Sequence, residues 1–183
     1  IKFFKKEGEI LKEDEAAISA SEVEYERGNF ETDLAEIDKE AENIYIERYQ
    51  KMFELDSLKG LKVALYGHSA VGREISEIIL KNLGAEVSRL GFSETFIPVD
   101  TEVIGEDTKK LGQEWNESGK FDALVATDGD GDRPLLGDEK GQWLRSDILG
   151  ILTAKFLGAE VAVVPVSCNT ALEKSAYVKE FSK

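Results

Sequence analysis

The chain has 183 residues, is 42% hydrophobic and 33% charged, and carries a net charge of −14. That is enough apolar material for a globular core, and so acidic a balance excludes a general nucleic-acid-binding surface, which needs Lys and Arg to neutralise phosphates. No apolar run is long enough to span a bilayer, no signal peptide is read in the opening "IKFFKKEGEI", and the single cysteine, Cys168, excludes an internal disulfide and fits a reducing cytoplasm. The expectation is a cytoplasmic protein with neither nucleic-acid nor membrane partners. Residue 1 is Ile, and "YVKEFSK" stops in what reads as the middle of a helix, so a part of a longer protein is expected.

In chain order, "IKFF" reads as a strand, "KKEGE" as a turn and "EDEAAISA" as a brief helix. From Thr32 to Phe53, apolar residues recur at helical spacing at Leu34, Ile37, Ala41, Ile44, Tyr45, Tyr49 and Met52. With Thr32 or Asp33 as cap, this predicts a long amphipathic helix joining two parts. "LKVALYG" (61–67) is a buried-type strand, "HSAVG" a tight connection, and 73–84 a helix stopped by Gly84. "AEVSRL" supplies a second strand, which makes a β-α-β unit and predicts parallel pairing. After the looser "GFSETFIPVDTEV" come a helix in "GEDTKKLGQEWNESG" and a third strand, "FDALVAT" (121–127). "PLLGDEKGQWL" predicts a hairpin turning through Asp138–Gly141. Then follow a helix stopped at Gly158, a strand, and a last helix in "CNTALEKSAYVKEF" with Thr170 and Glu173 in capping-box spacing. The fold class is α/β: a layered mixed sheet with flanking helices. The expected division is 1–31 as a remnant, 32–56 as a linking helix, 57–144 as the central α/β domain and 145–183 as an incomplete further α/β domain.

The most informative stretch is "TDGDGDRP", Thr127 to Pro134, at the C-terminal end of the third strand. In open α/β sheets that end is where ligands bind. Oxygens sharing one Mg²⁺ must each come within about 2.1 Å of it. An extended loop cannot bring Asp128, Asp130 and Asp132 that close; a curled one can, and Gly129 and Gly131 can take the positive φ it needs. Clustered carboxylates repel and favour protonation unless a cation joins them. With Arg133 and one divalent cation the cluster balances to neutrality. A hard metal with oxygen ligands suits this chemistry. The bland alternative is a solvated acidic turn. A calcium-binding EF-hand would place Asp128, Asp130, Asp132 and Glu139 at its first, third, fifth and twelfth positions. Its sixth position requires Gly, however, and Arg133 stands there. An Asp-x-Asp phosphatase nucleophile is disfavoured because Asp132 would repel an incoming phosphate.

"GHSAVGRE" has the glycine spacing of a phosphate-binding loop but lacks its Lys-Ser/Thr pair; Arg73 and Glu74 stand there. It remains a strand-to-helix turn, holding His68 and Ser69, whose N–H groups suit an anion or an active-site loop. His68 is the only histidine; a structural anchor and a direct catalytic role both stay open. Ser69 has no His-Asp partners nearby, so a serine-hydrolase triad is unsupported.

"DGDGDR" after an apolar strand resembles the magnesium loop of the α-D-phosphohexomutases, the phosphomannomutase/phosphoglucomutase superfamily. "LKGLKVALYGHSAVGREISEIILKNLGAEV" is similar to the opening of that family's second domain. "TFIPVDTE", "TDGDGDRPLL" and "PVSCNTALEKS" resemble a bacterial phosphomannomutase branch. The resemblance implies a phosphohexomutase domain 2-like fold in a four-domain isomerase. Such an enzyme interconverts hexose 1-phosphate and 6-phosphate, of mannose or glucose, through a phosphoserine. It implies Mg²⁺ as cofactor, Asp128, Asp130 and Asp132 as its ligands, and Arg133 as a catalytic residue beside the phosphoserine. No segment here resembles the family's Thr-Ala-Ser-His-Asn-Pro phosphoserine loop, its third-domain sugar loop or its fourth-domain phosphate clamp. "HSAVG" also departs from the family's Asn-Gly-Ala-type turn. The chain is therefore expected to run from the end of domain 1 into the start of domain 3 and to be inactive alone. A calcium-binding module or a non-catalytic α/β binding domain is the alternative.

Overall fold

The structure, a computed structural model, describes residues 3–24, 28, 36–175 and, by backbone alone, 180–182. It divides into two compact units, Ile1–Ile37 and Asp38–Lys183. In the first, strands β1 (Phe4–Lys5) and β2 (Gly8–Glu9) form an antiparallel hairpin. Gly8 takes φ +137° in it. Helix α1 (Lys12–Ser19) follows, its start held by the Asp14 carboxylate, which accepts the Leu11 N–H at 2.9 Å and the Lys5 ammonium at 2.6 Å. The strand, turn and brief helix expected here are all present.

In the second unit, helix α2 (Lys39–Met52) begins later than the Thr32 start read from the sequence. Thr32, Asp33 and Leu34 lie outside the described residues, and 36–38 are not helical. Asp38 is the cap: its carboxylate accepts the N–H groups of Glu40 and Ala41 at 2.9 and 3.2 Å, the geometry that stops a helix from extending backwards. The apolar stripe also needs correction. Ile44, Tyr45 and Met52 are exposed, and the buried residue of the helix is Ile46. The face that packs follows Glu42, Ile46, Tyr49 and Phe53, all at least partly buried at helical spacing.

Five strands form the central sheet in the order β4-β3-β5-β6-β7: β3 (Lys62–Tyr66), β4 (Glu86–Leu90), β5 (Ala123–Thr127), β6 (Pro134–Gly137) and β7 (Trp143–Leu144). β3 pairs in parallel with β4 (Val63↔Val87) and with β5 (Val63↔Ala123), whereas β5–β6 and β6–β7 are antiparallel. The sheet is mixed for a sequence reason: a crossover helix separates β3 from β4 and another precedes β5, but only short turns follow β5. β3 lies inside the sheet, and Val63, Ala64, Leu65 and Tyr66 are buried in succession, as a strand covered on both faces requires. β5 alternates instead, burying Leu124 and Ala126.

Helices α3 (Arg73–Asn82), α4 (Glu106–Gly119) and α5 (Ser146–Phe156) flank the sheet. α3 and α5 end where expected, with Gly84 at φ +97° and Gly158 at φ +64°. The core between sheet and α4 gathers Tyr66, Ala126 and Leu135 with Val99, Ile104, Trp115 and Trp143. Trp143 Nε1–H donates to the Thr108 carbonyl at 2.8 Å and ties the β6–β7 hairpin to α4.

At the C-terminal end, strand β8 (Val161–Val163) is followed by helix α6 (Ala171–Ser175). The last helix does not run through Phe181: Glu180–Ser182 form strand β9, parallel to β8 with Val161↔Glu180. β8 presents a row of backbone N–H and C=O groups that need partners, and the local helical pattern yields to that pairing. Among the described residues, no helix is long and apolar enough to cross a membrane.

α3 is fastened to β4 by an ion-pair group. Glu77 is buried and accepts from the Arg89 guanidinium, through Nε at 2.7 Å and through Nη2, and from Lys81 Nζ at 2.8 Å. The hydrogen bonds from Arg89, then Lys81, push the Glu77 carboxyl down to about 2 from the ordinary 4.5, against the opposing effect of burial. Because the folded-state value is depressed, this stabilisation is complete above about pH 4.5 and fades as the pH falls toward 2. Glu77→Gln is expected to cost about 2 kcal/mol at neutral pH, the scale for hydrogen bonds to a charged group. Urea denaturation at pH 7 and at pH 3 should show the gap between wild type and variant narrowing at the lower pH.

Candidate metal centre

The loop that follows β5 curls because its two ends are bonded to each other. The Asp128 N–H donates to the Arg133 carbonyl at 3.0 Å, the Arg133 N–H donates to Asp128 Oδ1 at 3.1 Å, and Arg133 Nε donates to Asp128 Oδ2 at 2.8 Å. Between them Gly131 takes φ +81°, but Gly129 does not use a positive φ, so one glycine makes the curl where two were expected. Gly129 acts through its backbone carbonyl, which accepts the Val71 N–H at 3.0 Å and joins the loop to the β3–α3 turn.

The curl brings the three aspartates together. One carboxylate oxygen from each of Asp128, Asp130 and Asp132 lies within 4.8 Å of the others; Asp128 is buried and the other two are exposed. Two oxygens on opposite sides of a Mg²⁺ ion stand about 4.2 Å apart. The exposed pair can close that difference by side-chain rotation. Both Asp128 oxygens are already bonded to Arg133, yet each retains a second lone pair. Burial pushes the Asp128 carboxyl up, but the Arg133 amide, its guanidinium bond and its charge together outweigh this and hold it below the usual carboxylate range. The buried carboxylate is therefore an anion at neutral pH, and the cluster's donors are all oxygen, the kind hard divalent cations take. Glu139, the twelfth residue of an EF-hand reading, is not in the cluster.

Arg133 binds Asp128 through Nε, lies 3.5 Å from Asp132 through the same atom, and points Nη1 toward Glu102 at 3.7 Å. Its side chain is half exposed. Beside the loop is a cavity of about 430 Å³, lined by Ser69, Val71, Phe96, Val99, Asp128 and Asp130 among others. Phe96, Val99 and Glu102 belong to the segment read from the sequence as loose in structure, noted there for its resemblance but given no role at the site. Their placement depends on Asp100, whose carboxylate accepts the Glu102 and Val103 N–H groups, and on Ser69, whose hydroxyl accepts the Ile97 N–H at 2.8 Å.

His68 is fully buried. Its Nε2 is bonded to the Thr127 carbonyl at 2.9 Å, and the ring lies against Tyr66 with centroids 5.1 Å apart. A carbonyl only accepts, so Nε2 carries the proton. Ser69 lines the cavity with its hydroxyl engaged by Ile97. Of the turn's N–H groups, that of Ala70 goes to the Gly67 carbonyl and that of Val71 to Gly129.

Residues 43–141 match the model of the phosphoglucomutase/phosphomannomutase alpha/beta/alpha domain II. The chain belongs to the phosphoglucomutase/phosphomannomutase family. Its similarity to a phosphomannomutase of Salmonella muenchen is 38% identity over 183 residues, covering the whole of this chain and 38% of that protein. For a phosphomannomutase of Sinorhizobium fredii the identity is 42% over 190 residues, covering 98% of this chain and 39% of that one. A phosphoglucosamine mutase of Aliivibrio fischeri is 31% identical over 159 residues, 85% of this chain and 36% of its own length. The chain thus spans less than two fifths of the curated relatives it matches. A solved phosphoglucomutase/phosphomannomutase family protein of Burkholderia thailandensis superposes with a TM-score of 0.63 at 19% identity, over 78% of this chain and 32% of that one. That likeness supports the mixed-sheet α/β fold.

The loop's two glycines should respond differently to a methyl group. Gly131→Ala is expected to destabilise the chain by about 1 kcal/mol through its left-handed backbone alone, since a Cβ there meets nothing within 4 Å. Gly129→Ala, with ordinary φ and its nearest neighbour at 3.8 Å, should stay close to wild type in the same denaturation measurement.

Proposed function

We propose that this chain is the metal-loop portion of a Mg²⁺-dependent phosphohexomutase, an enzyme that interconverts the 1- and 6-phosphates of a hexose through a phosphoserine. The observation that carries the proposal is the convergence of Asp128, Asp130 and Asp132 at the end of β5, with Arg133 bonded back onto Asp128. Membership of the phosphoglucomutase/phosphomannomutase family supports it.

In this reading Asp128, Asp130 and Asp132 hold the ion. Bound there, it supplies electrostatic polarisation of a phosphoryl group and offsets the charge that develops during transfer. Asp128 is the fixed ligand, buried and kept ionised by Arg133; Asp130 and Asp132 adjust to the ion from the solvent side. Arg133 orients Asp128 through Nε and offers its Nη edge to phosphate oxygens, the contact that makes it catalytic. The phosphoserine and the sugar-recognition groups come from outside this chain, because the curated relatives are more than twice its length. Residues 1–31 then correspond to the end of the family's first domain, 32–56 to a linker, 57–144 to its second domain and 145–183 to the start of its third. Two of the named relatives are phosphomannomutases, which favours a hexose phosphate of the mannose or glucose type as the substrate of the whole enzyme. A cytoplasmic location follows from that metabolism.

Asp130→Asn removes an exposed ligand without disturbing the Asp128–Arg133 pair. It is expected to weaken Mg²⁺ or Mn²⁺ binding at least tenfold in a calorimetric titration while leaving the melting temperature of the metal-free chain unchanged. Tight Ca²⁺ binding abolished by Glu139→Gln would instead support a calcium module. The 183-residue chain alone is expected to show no turnover of mannose 1-phosphate or glucose 1-phosphate in a coupled assay; measurable turnover would overturn the division of labour proposed here.

A further inference from the structure

The β3–α3 turn grips the aspartate loop at two points, one on each side of Asp128. The His68 ring N–H holds the Thr127 carbonyl at 2.9 Å, and the Val71 N–H holds the Gly129 carbonyl at 3.0 Å. We infer that His68 is a positioning residue for the metal loop: by binding the last peptide carbonyl of β5, its ring sets where the strand stops and where Asp128 presents its carboxylate. The inference rests on the hard-cation reading of the loop.

Backbone pairing cannot do this work. Toward β6 the hydrogen-bonded pair is Asp128 with Arg133, so in the register Thr127↔Pro134 the Thr127 carbonyl faces away from β6. On the other side the parallel register with β3 ends at Leu65↔Val125, two residues short of Thr127. The imidazole takes the place of a strand donor at the peptide where the ladder has run out. The ring is also held rigidly enough to act as a template. It is fully buried, lies against Tyr66, and its own carbonyl accepts the Ser93 N–H at 2.8 Å and Arg73 Nη1 at 2.7 Å.

The backbone points the same way. His68 takes φ +29°, a conformation that L residues with a side chain adopt only at a cost. Glycine would sit there without strain but would bring no donor to Thr127. Its Nδ1 is buried with no hydrogen-bond partner, so the Nε2–H bond is the ring's one polar anchor. Groups that orient a metal ligand from behind typically change metal affinity 10–100-fold when removed.

The test compares wild type with His68→Leu, which has similar bulk and no donor, and His68→Gln, whose side-chain N–H can occupy the place of Nε2. Mn²⁺ binding is read from the electron-spin-resonance signal of the free ion, and amide hydrogen exchange is followed by NMR without metal. His68→Leu should bind Mn²⁺ roughly tenfold more weakly and should speed exchange at the Arg133 and Val71 amides while leaving Ala64 and Leu124 protected. His68→Gln should stay within about twofold of wild type in both. Equal losses in the Leu and Gln variants would reduce His68 to a packing residue, and wild-type exchange at Arg133 and Val71 in His68→Leu would overturn the positioning role. Absence of Mn²⁺ binding by wild type would sink the metal reading itself, and the exchange data, which need no metal, would still decide whether His68 positions the loop.

Discussion

The candidate site depends on the closure of Arg133 onto Asp128. Three carboxylates within five residues repel one another, and an open loop would let them separate into solvent. Three hydrogen bonds between the first and sixth residues of the loop oppose that separation, two of them charge-assisted. They keep Asp128 ionised despite its burial and hold Asp130 and Asp132 close to it. The curl is thus maintained by the chain's own cation, with the acidic cluster gathered and still open to solvent on one side.

That closure needs a rigid base, which the sheet supplies. β3 and β5 lie side by side in parallel, so the turn after β3 and the loop after β5 emerge at the same edge. The antiparallel turn back into β6 then carries Arg133 past Asp128. The segment 91–104 crosses the same edge and adds Phe96, Val99 and Glu102 to the surroundings of the site. Glu77, Arg89 and Lys81 fasten α3, which begins at that turn, to the outer strand β4. The site is a meeting of three connections at one end of the sheet, each tied down by side-chain hydrogen bonds.

Much of this was legible in the sequence. The run "KVALY" announces a strand buried on both faces, and Gly84 and Gly158 end helices in the left-handed conformation their positions predict. The aspartate loop was legible because its residue types have few other uses at the end of an apolar strand. Other readings failed for identifiable reasons. The α2 stripe was misplaced because Ile44, Tyr45 and Met52 look apolar enough to bury, but which face of a helix meets α3 is a property of packing. The last helix was read too far because the local pattern carries no record of the strand β8 beside it. Glu102, Val71 and Phe96 lie in stretches noted in the sequence, but their contacts at the loop were not read, because a charge 31 residues from its partner, a backbone N–H and an exposed aromatic leave no periodic signal.

By itself the sequence determined the α/β class, the order of its elements as far as α6 and the donor types of its acidic loop. These follow from short-range facts: hydrophobic period, glycine conformation, and the charge and donor type of neighbouring residues. Only the tertiary structure decided how that chemistry is held. It set Asp128 in the interior and its two neighbours in solvent, turned Arg133 back onto the first aspartate, and placed the buried His68 against the Thr127 carbonyl, 59 residues away in sequence. Such contacts arise from the parallel pairing of two strands, β3 and β5, separated in sequence by two helices and a strand. Their distances depend on where the sheet ladder ends, which no local pattern encodes.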